Sequence, residues 1–465
     1  MLREKGALPN QTDVLVFGSG IAGHCAALAA ADAGADVLLL EKASQPGGSS
    51  AIAGGAFVFS GTDEQESAGQ KDSLEALRRD LLQSGKNKNK PELVDRFLKS
   101  QLDTYRFLKK FGVKFELHIV PEPGVSRAHV TGTGKAITAL HMAVQTEPRI
   151  TYASRSAGVR LSRSSETGRV DGASAMFGDR ETFIRAKSGI VLATGGFSRS
   201  RELLQIYAPE LADAVKHGGT ANTGDGLMMA TDLGAGHADL GYVSGSFGGG
   251  IRNYPDIQRK AGEIPPLLFS FLEGGIMVNK HGVRFVNEGQ SYKALSNIGM
   301  AQPEGIGFQI FDDRLMQRSH EDTSVNNYKE AVLAGYIQSG ETIGELATLM
   351  DIDPIILEDT VASYNRNVAQ GLDPQFGREA NLVPIDQAPY YIAATGNAIT
   401  STYGGITTDG NMAVVDWFGE AIEGLFAAGE IVGGFHGAGY YSASSLSSSA
   451  TFGQVAGRHA AGHFD

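Results

Sequence analysis

Asp13–Glu41 reads DVLVFGSGIAGHCAALAAADAGADVLLLE. An apolar run, Val14 to Phe17, enters a glycine turn, Gly18-Ser-Gly20-Ile-Ala-Gly23. A helix of small residues follows, and a second apolar run, Val37 to Leu40, closes on Glu41. This is the strand–turn–helix–strand of a dinucleotide site. Gly18 makes the tight turn, and Gly20 lets backbone approach a pyrophosphate on the helix N-terminus. Gly23 lets helix and strand pack closely, and Glu41 falls where a carboxylate binds ribose hydroxyls. The glycines alone would say little. The strand before them, the helix after them and an acid about 20 residues on give them their weight. Ile21, Ala22 and Lys42 flank these positions and belong to the same expected site.

Pro46-Gly-Gly-Ser-Ser-Ala-Ile-Ala-Gly-Gly55 follows almost at once. It reads as a loop of small residues, able to lie against phosphate and an isoalloxazine ring through Gly48, Ser49, Ser50, Ala53, Gly54 and Gly55. Leu74 to Leu82 and Pro91 to Phe111 have helical periodicity. Arg127 and His129 read as structural. Four short alternating runs, Ile150 to Ala153, Val159 to Arg163, Ala173 to Phe177 and Glu181 to Ala186, predict a small β-meander, with Val159 in the cofactor set. Gly189-Ile-Val-Leu-Ala-Thr-Gly-Gly196 is a buried strand entering a glycine turn, which offers Ala193, Thr194 and Gly195. Asn222-Thr-Gly-Asp-Gly226 opens a helix, Leu227 to Leu233; Asp225 either caps it or reaches cofactor hydroxyls.

Composition changes after residue 240. Gly, Phe and Pro dominate 241–275, a hairpin is expected over Gly275–Asn279 and Arg284–Glu288, and two helices over Glu341–Met350 and Pro354–Gln370. The end returns to cofactor style, with Gly404, then Leu425-Phe-Ala-Ala-Gly429-Glu430, then a glycine loop and a final helix, Ser447 to Ala461. Ser445 and Leu446 precede that helix, whose start is suited to stabilising negative charge on a reduced flavin. An inserted domain therefore divides the chain into 1–240, 241–401 and 402–465.

The 465 residues are 42% hydrophobic and 20% charged, an ordinary globular composition. A formal net charge of −12 argues against a polyanion partner. The one cysteine, Cys25, lies inside the first helix and reads as a small core residue. The first residues lack the apolar core of a signal peptide, and no apolar stretch suits a bilayer span, so a cytoplasmic location is expected.

These pieces resemble the flavoproteins of the fumarate reductase and 3-ketosteroid dehydrogenase superfamily over essentially the whole chain. The matching motifs are GSGIAG with Glu41, PGGSSAIAGG, LATGG, NTGDG, GVRFVNE, YNRNVAQGLDPQFGR and YGGI…GLFAAGEIVGG. The resemblance implies an α/β, Rossmann-like FAD-binding domain with an inserted α+β capping domain, and substrate between flavin and cap. Respiratory members bond FAD covalently through a histidine in the loop after the second strand. Gly47-Gly-Ser-Ser-Ala51 has none, which implies noncovalent FAD.

Fumarate reductases of this superfamily hold a dicarboxylate with two arginines and two histidines. The matching positions here are Tyr292, Tyr440, Ser401 and, nearby, Ser246. Arginine suits carboxylates because its planar fork donates two charge-assisted hydrogen bonds, which tyrosine cannot do. Only Arg252 and Arg259, elsewhere in the cap, leave a route to an anion site. The 3-ketosteroid dehydrogenases place tyrosines at or beside these two positions. Gly439-Tyr-Tyr-Ser-Ala-Ser-Ser-Leu446 looks most like the Tyr-x-Ser loop of the Δ4-(5α)-dehydrogenases, which pairs Tyr440 with Ser442; the Δ1 enzymes put their tyrosine on Gly439. A one-residue slip would exchange Tyr441 for Tyr440.

The implied reaction makes or removes a C=C bond beside a ketone, with hydride exchanged at flavin N5 and a proton moved by tyrosine. Tyr440, relayed by Ser442, is the expected base and Tyr292 the carbonyl donor, or the reverse. His436 is expected to position backbone. The alternatives are an ene-reductase of a small enoate and an electron-transfer subunit with no substrate of its own. Only one dinucleotide fingerprint is visible, so NAD(P) is not indicated. A quinone, a dye or a partner flavoprotein is the expected electron partner.

Overall fold

The computed structural model describes residues 8–119, 125–257, 262–290, 295–321 and 325–463. They form two compact units. The first comprises Met1–Ala208, Gly219–Val243 and Ser401–Asp465; the second comprises Pro209–Gly218 and Ser244–Thr400.

The first unit is built on an eight-stranded sheet. Strands Ala421–Ala427, Arg180–Leu192, Gln11–Phe17, Val37–Leu40 and Ile150–Ala153 lie side by side, all parallel. Ala413–Val415 adds an antiparallel edge. Such a sheet is buried on both faces, so its strands are continuous apolar runs. Val37–Leu40 is buried throughout. Two sequence expectations change here. Ile150–Ala153 is not part of the meander but pairs in parallel with Val37–Leu40. The last meander strand and the buried strand after it are one, Arg180–Leu192, antiparallel to Val170–Phe177 at one end and parallel to the first strand at the other.

The first helix, Ile21–Asp32, is buried along all but its last residue. Its alanines follow from what covers it. Gly453 and Gly457 of the last helix, Ser444–Ala460, face it so closely that a Cβ would lie 2.3 Å from the Ala22 carbonyl oxygen and 2.1 Å from that of Ala26. The last helix starts three residues earlier than the sequence suggests, after Ala443 in a left-handed conformation. Cys25 is fully buried, and burial pushes its thiol up, so it is an inert core residue.

The second unit has a six-stranded sheet in which Tyr390–Thr402 pairs with Ile306–Asp312, and Ile306–Asp312 with Ile276–Val278. The expected hairpin shrinks to a tight turn, in which Asn279 N donates to the Val283 oxygen at 3.0 Å. Arg284 meets Val278 in an isolated bridge, and Ile276–Val278 takes its partner from Ile306–Asp312 instead. What occupies the GVRFVNE segment is an ion cluster. Arg284 donates to Glu288 at 3.0 and 2.6 Å and to Asp373 at 2.9 and 2.8 Å. Arg378 donates to the carbonyls of Gly275 and Phe271. All four side chains are buried, which explains why GVRFVNE and LDPQFGR occur together: each supplies half of a compensated cluster. The paired helices run Ile343–Leu349 and Pro354–Val368, the second capped by Asp353.

Candidate active site

The turn after the first strand has the geometry its glycines require. Gly18 has φ +96°, and a Cβ there would lie 2.2 Å from the Ala193 oxygen; at Gly23 it would lie 1.8 Å from the Gly18 oxygen. Gly20 differs. A Cβ there would meet nothing nearer than Ser50 Oγ at 3.5 Å. The first helix begins at Gly20 with no side-chain cap, and Ile21 N donates to Ser50 Oγ at 3.2 Å. A helix start left open beside a side-chain-free residue fits a pyrophosphate. Ala22 packs under Gly429, where a Cβ would lie 2.9 Å from its own.

Glu41 is buried; its Oε2 accepts from Ser19 N at 2.9 Å and Ser19 Oγ at 2.7 Å, and its Oε1 from Ala43 N. The carboxylate is thus held in the turn, with acceptor capacity left for a diol. Lys42 and Asp225 pair at 2.7 Å, and Thr223 Oγ1 donates to Asp225 at 2.6 Å. Asp225 is therefore the first residue of helix Asp225–Asp232 and carries an ion pair, not a cap bond.

Pro46–Gly55, expected as a loop of small residues against the cofactor, is helical in part. Gly47, at φ +112°, starts a short helix, Gly48–Ile52, that carries Ser49 and Ser50. The backbone relaxes through Ala53 and Gly54 to Gly55, at φ +73°, where a Cβ would lie 2.3 Å from the Gly132 oxygen. Ser49 Oγ accepts from Gly219 N at 2.9 Å and Asn222 Nδ2 at 3.1 Å. Asn222 Nδ2 also donates to Glu430 Oε2 at 3.0 Å, while Glu430 Oε1 accepts from Thr402 N at 2.9 Å. One polar ring thus joins segments more than two hundred residues apart in sequence. Burial raises the Glu430 carboxyl, opposed by the hydrogen bonds from Thr402, Asn222 and Gly196. Beside the ring, Thr194 Oγ1 and Ser198 Oγ are buried without partners, as expected where a polar cofactor supplies the missing bonds. Gly195 packs on Asn222, and Gly404 on the Asp239 backbone. Val159 is 44% exposed on its strand.

The loop before the last helix carries Tyr440. Its ring stacks on Tyr403 at 6.1 Å and tilts against His436 at 5.6 Å. Burial raises its phenol, opposed by the Ser445 side chain and by the amides of Ser445 and Ala443. The serine facing the phenol is therefore Ser445, in the first turn of the last helix beside Leu446; Ser442 is exposed. Five residues separate the pair in sequence, and a left-handed Ala443 turns the chain between them. Tyr441 is a different case: its hydroxyl accepts from Arg127 Nη1 at 3.0 Å, and Arg127 is ion-paired to Asp72 and Asp80. His129 bonds Thr62 Oγ1 and the Arg127 carbonyl, a structural role. The loop is pressed onto the segment before residue 90. Asn89 Nδ2 donates to the Phe435 oxygen, and a Cβ on Gly439 would lie 2.1 Å from the Ser84 oxygen.

In the second unit Ser246 is buried and Arg252 pairs with Glu263, its guanidinium over the Tyr336 ring at 4.9 Å. Ser401 is half-buried. Tyr292 and Arg259 lie outside the described residues. Among the described residues no helix is long and apolar enough to cross a membrane.

Residues 13–446 match the family described as FAD binding domain. The chain is 32% identical over 464 residues to the probable fumarate reductase Ifc3 of Shewanella frigidimarina, covering 97% of this chain and 75% of that protein. It superposes with a TM-score of 0.86, at 30% identity, on the open conformation of a flavocytochrome c3 fumarate reductase, covering 98% of this chain and 79% of the other. With the 3-ketosteroid-Δ4-(5α)-dehydrogenase of Rhodococcus jostii RHA1, solved with 4-androstene-3,17-dione, the TM-score is 0.72 at 26% identity, over 99% of this chain and 98% of that one. The chain belongs to the FAD binding domain family of fumarate-reductase-like flavoproteins, and is an FAD-dependent oxidoreductase.

Proposed function

We propose that this flavoprotein introduces or reduces a C=C bond beside a ketone, in a 3-ketosteroid or a similar polycyclic ketone. The observation that carries this is Tyr440, a half-buried phenol facing the Ser445 side chain and the amides that open the last helix. Gly439 adds to it. With the Ser84 oxygen 2.1 Å from any Cβ, residue 439 cannot carry the tyrosine of a Δ1-type loop, and residue 440 can. Arg252 is already paired with Glu263, which weakens the case for a carboxylate pocket.

When bound, FAD supplies a two-electron hydride donor or acceptor. The first unit holds it without a covalent bond, through Gly18, Gly20, Gly23, Glu41, Ser49, Ser50, Glu430 and their neighbours. Tyr440 moves the proton. Its burial keeps the phenol neutral at rest, so it is ready to donate to carbon when a C=C bond is reduced. In the opposite direction it must first lose that proton. A phenolate at pH 7 costs roughly 4 kcal/mol from an ordinary tyrosine; the Ser445 hydroxyl and two amides lower that cost. Tyr292 polarises the ketone oxygen, and the second unit is the substrate domain. A quinone or a flavoprotein exchanges electrons with the enzyme.

The test is anaerobic mixing of the purified yellow protein with a panel of 3-ketosteroids, following loss of flavin absorbance. Bleaching by saturated ketosteroids, or reoxidation of reduced enzyme by enones, is expected. The second reading, reduction of a small enoate, is favoured by the 32% identity to a probable fumarate reductase. Reoxidation by fumarate or urocanate with no response to any ketosteroid would decide for it.

A further inference from the structure

Arg127 is buried, and neither the dinucleotide turn nor the substrate chemistry uses it. Its Nε and Nη2 donate to the two oxygens of Asp72 at 2.7 and 2.6 Å, and its Nη1 donates to Asp80 at 2.5 Å. Ser60 acts on the same Asp72 carboxylate, and Ser73 N donates to it at 2.8 Å. Burial opposes the charge on Arg127, but the bonds to Asp72, Asp80 and Tyr441 outweigh it and keep the guanidinium charged. A bidentate pair of this kind fixes direction as well as charge. The contact from Nη1 to the Tyr441 hydroxyl, at 3.0 Å, therefore comes from a group that is itself held in place.

Tyr441 follows Tyr440 directly, and it is pinned at both ends. Its hydroxyl meets Arg127, while its carbonyl accepts from Ser444 N at 3.1 Å and from Ser444 Oγ at 2.6 Å, at the start of the last helix. The other flank of Tyr440 is held as well. A Cβ on Gly439 would lie 2.1 Å from the Ser84 oxygen, and Ala438 N donates to the Gly85 oxygen at 3.1 Å. Asp80 and Ser84 belong to one helix, Leu74–Ser84, so a single element reaches both sides of the phenol. That helix is tied in turn to the helix Pro91–Lys110 through Arg78 and Asp95, 2.7 Å apart. Tyr440 is left to turn about its own side-chain bonds, with its backbone fixed before and after it.

We propose that Arg127, acting through Tyr441, is a positioning residue for Tyr440, holding its phenol where the proton is transferred. This rests on Tyr440 as the proton-transfer group and applies to a ketone or an enoate substrate alike. Arg127→Ala would strand the Asp72 carboxylate in the interior, so the test is Tyr441→Phe, which keeps the ring and removes only the acceptor. Holoenzymes are compared in turnover with whichever 3-ketosteroid or enoate the wild-type enzyme uses best. In Tyr441→Phe, kcat should fall about tenfold, as for a small misplacement of a reacting group, with KM, FAD Kd and Tm unchanged. In a Tyr440→Phe background the same substitution should have no further effect, because it acts only through that phenol. An unchanged kcat in Tyr441→Phe would overturn the proposal. So would an equal fall in both backgrounds, or a fall accompanied by a lower Tm or weaker FAD binding, since Tyr441 would then be structural. A Tyr440→Phe enzyme at full rate would instead remove Tyr440 as the proton-transfer group, and this role of Arg127 with it.

Discussion

Tyr440 has its acidity set by opposed surroundings: burial favours the neutral phenol, and Ser445 with two amides favours the phenolate. Tyr440→Phe should slow flavin bleaching by ketosteroids by about a hundred- to ten-thousandfold, the usual weight of a positioned acid–base group, without loss of bound flavin. Ser445→Ala should slow it by about tenfold and Ser442→Ala should not, because only Ser445 faces the phenol. Direction adds a pH signature. The phenol titrates above its ordinary value, so the reactive phenolate becomes scarcer as pH falls. Desaturation rates should rise with pH from 6 to 9 by about tenfold per unit, while proton donation in the reductive direction should stay flat over that range. A flat profile for desaturation would remove Tyr440 as the base.

Two helices set the precision of the dinucleotide turn. The last helix presses Gly453 and Gly457 against the carbonyls of the first helix. Gly457→Ala places a methyl group where the Ala26 oxygen stands 2.1 Å away, so the helices must separate. A loss of about 1–3 kcal/mol in thermal or urea unfolding is expected, together with weaker FAD binding. His24, in the first helix, is neutral and buried with its acidity shifted down to about 4 from 6.5. The unfolded chain therefore binds the extra proton first. The stability this residue lends is full above pH 6.5 and is lost as pH falls towards 4. Tm measured from pH 7 to 5 should fall more steeply for wild type than for His24→Phe.

Across the whole molecule, each unit has its own stabilising logic. The first depends on parallel strands buried on both faces, the second on an apolar core with the Arg284–Glu288–Asp373–Arg378 cluster beside it. Arg284→Ala leaves two carboxylates buried without their main cation and should cost about 3–5 kcal/mol in denaturant unfolding; replacing the whole cluster by apolar residues should cost far less. The segment Pro209–Gly218 groups with the second unit because Val215 and Lys216 pair with Ala398 and Ile399. Nothing in its local composition signals this, since strand pairing is decided by residues far away in the chain.

Taken alone, the amino-acid order determined the α/β class, the dinucleotide turn and the FAD-binding family. Those features are local: a glycine that must reach positive φ, an apolar run of strand length and an acid at a set distance leave marks within thirty or so residues. The geometry at Gly18, Gly23 and Glu41 agrees with that pattern. Tertiary structure alone decided which serine faces Tyr440, which strands neighbour one another, and that Arg252 is spent on Glu263. Burial and side-chain partnership are made by segments brought together from opposite ends of the chain, and spacing along one segment carries no record of them.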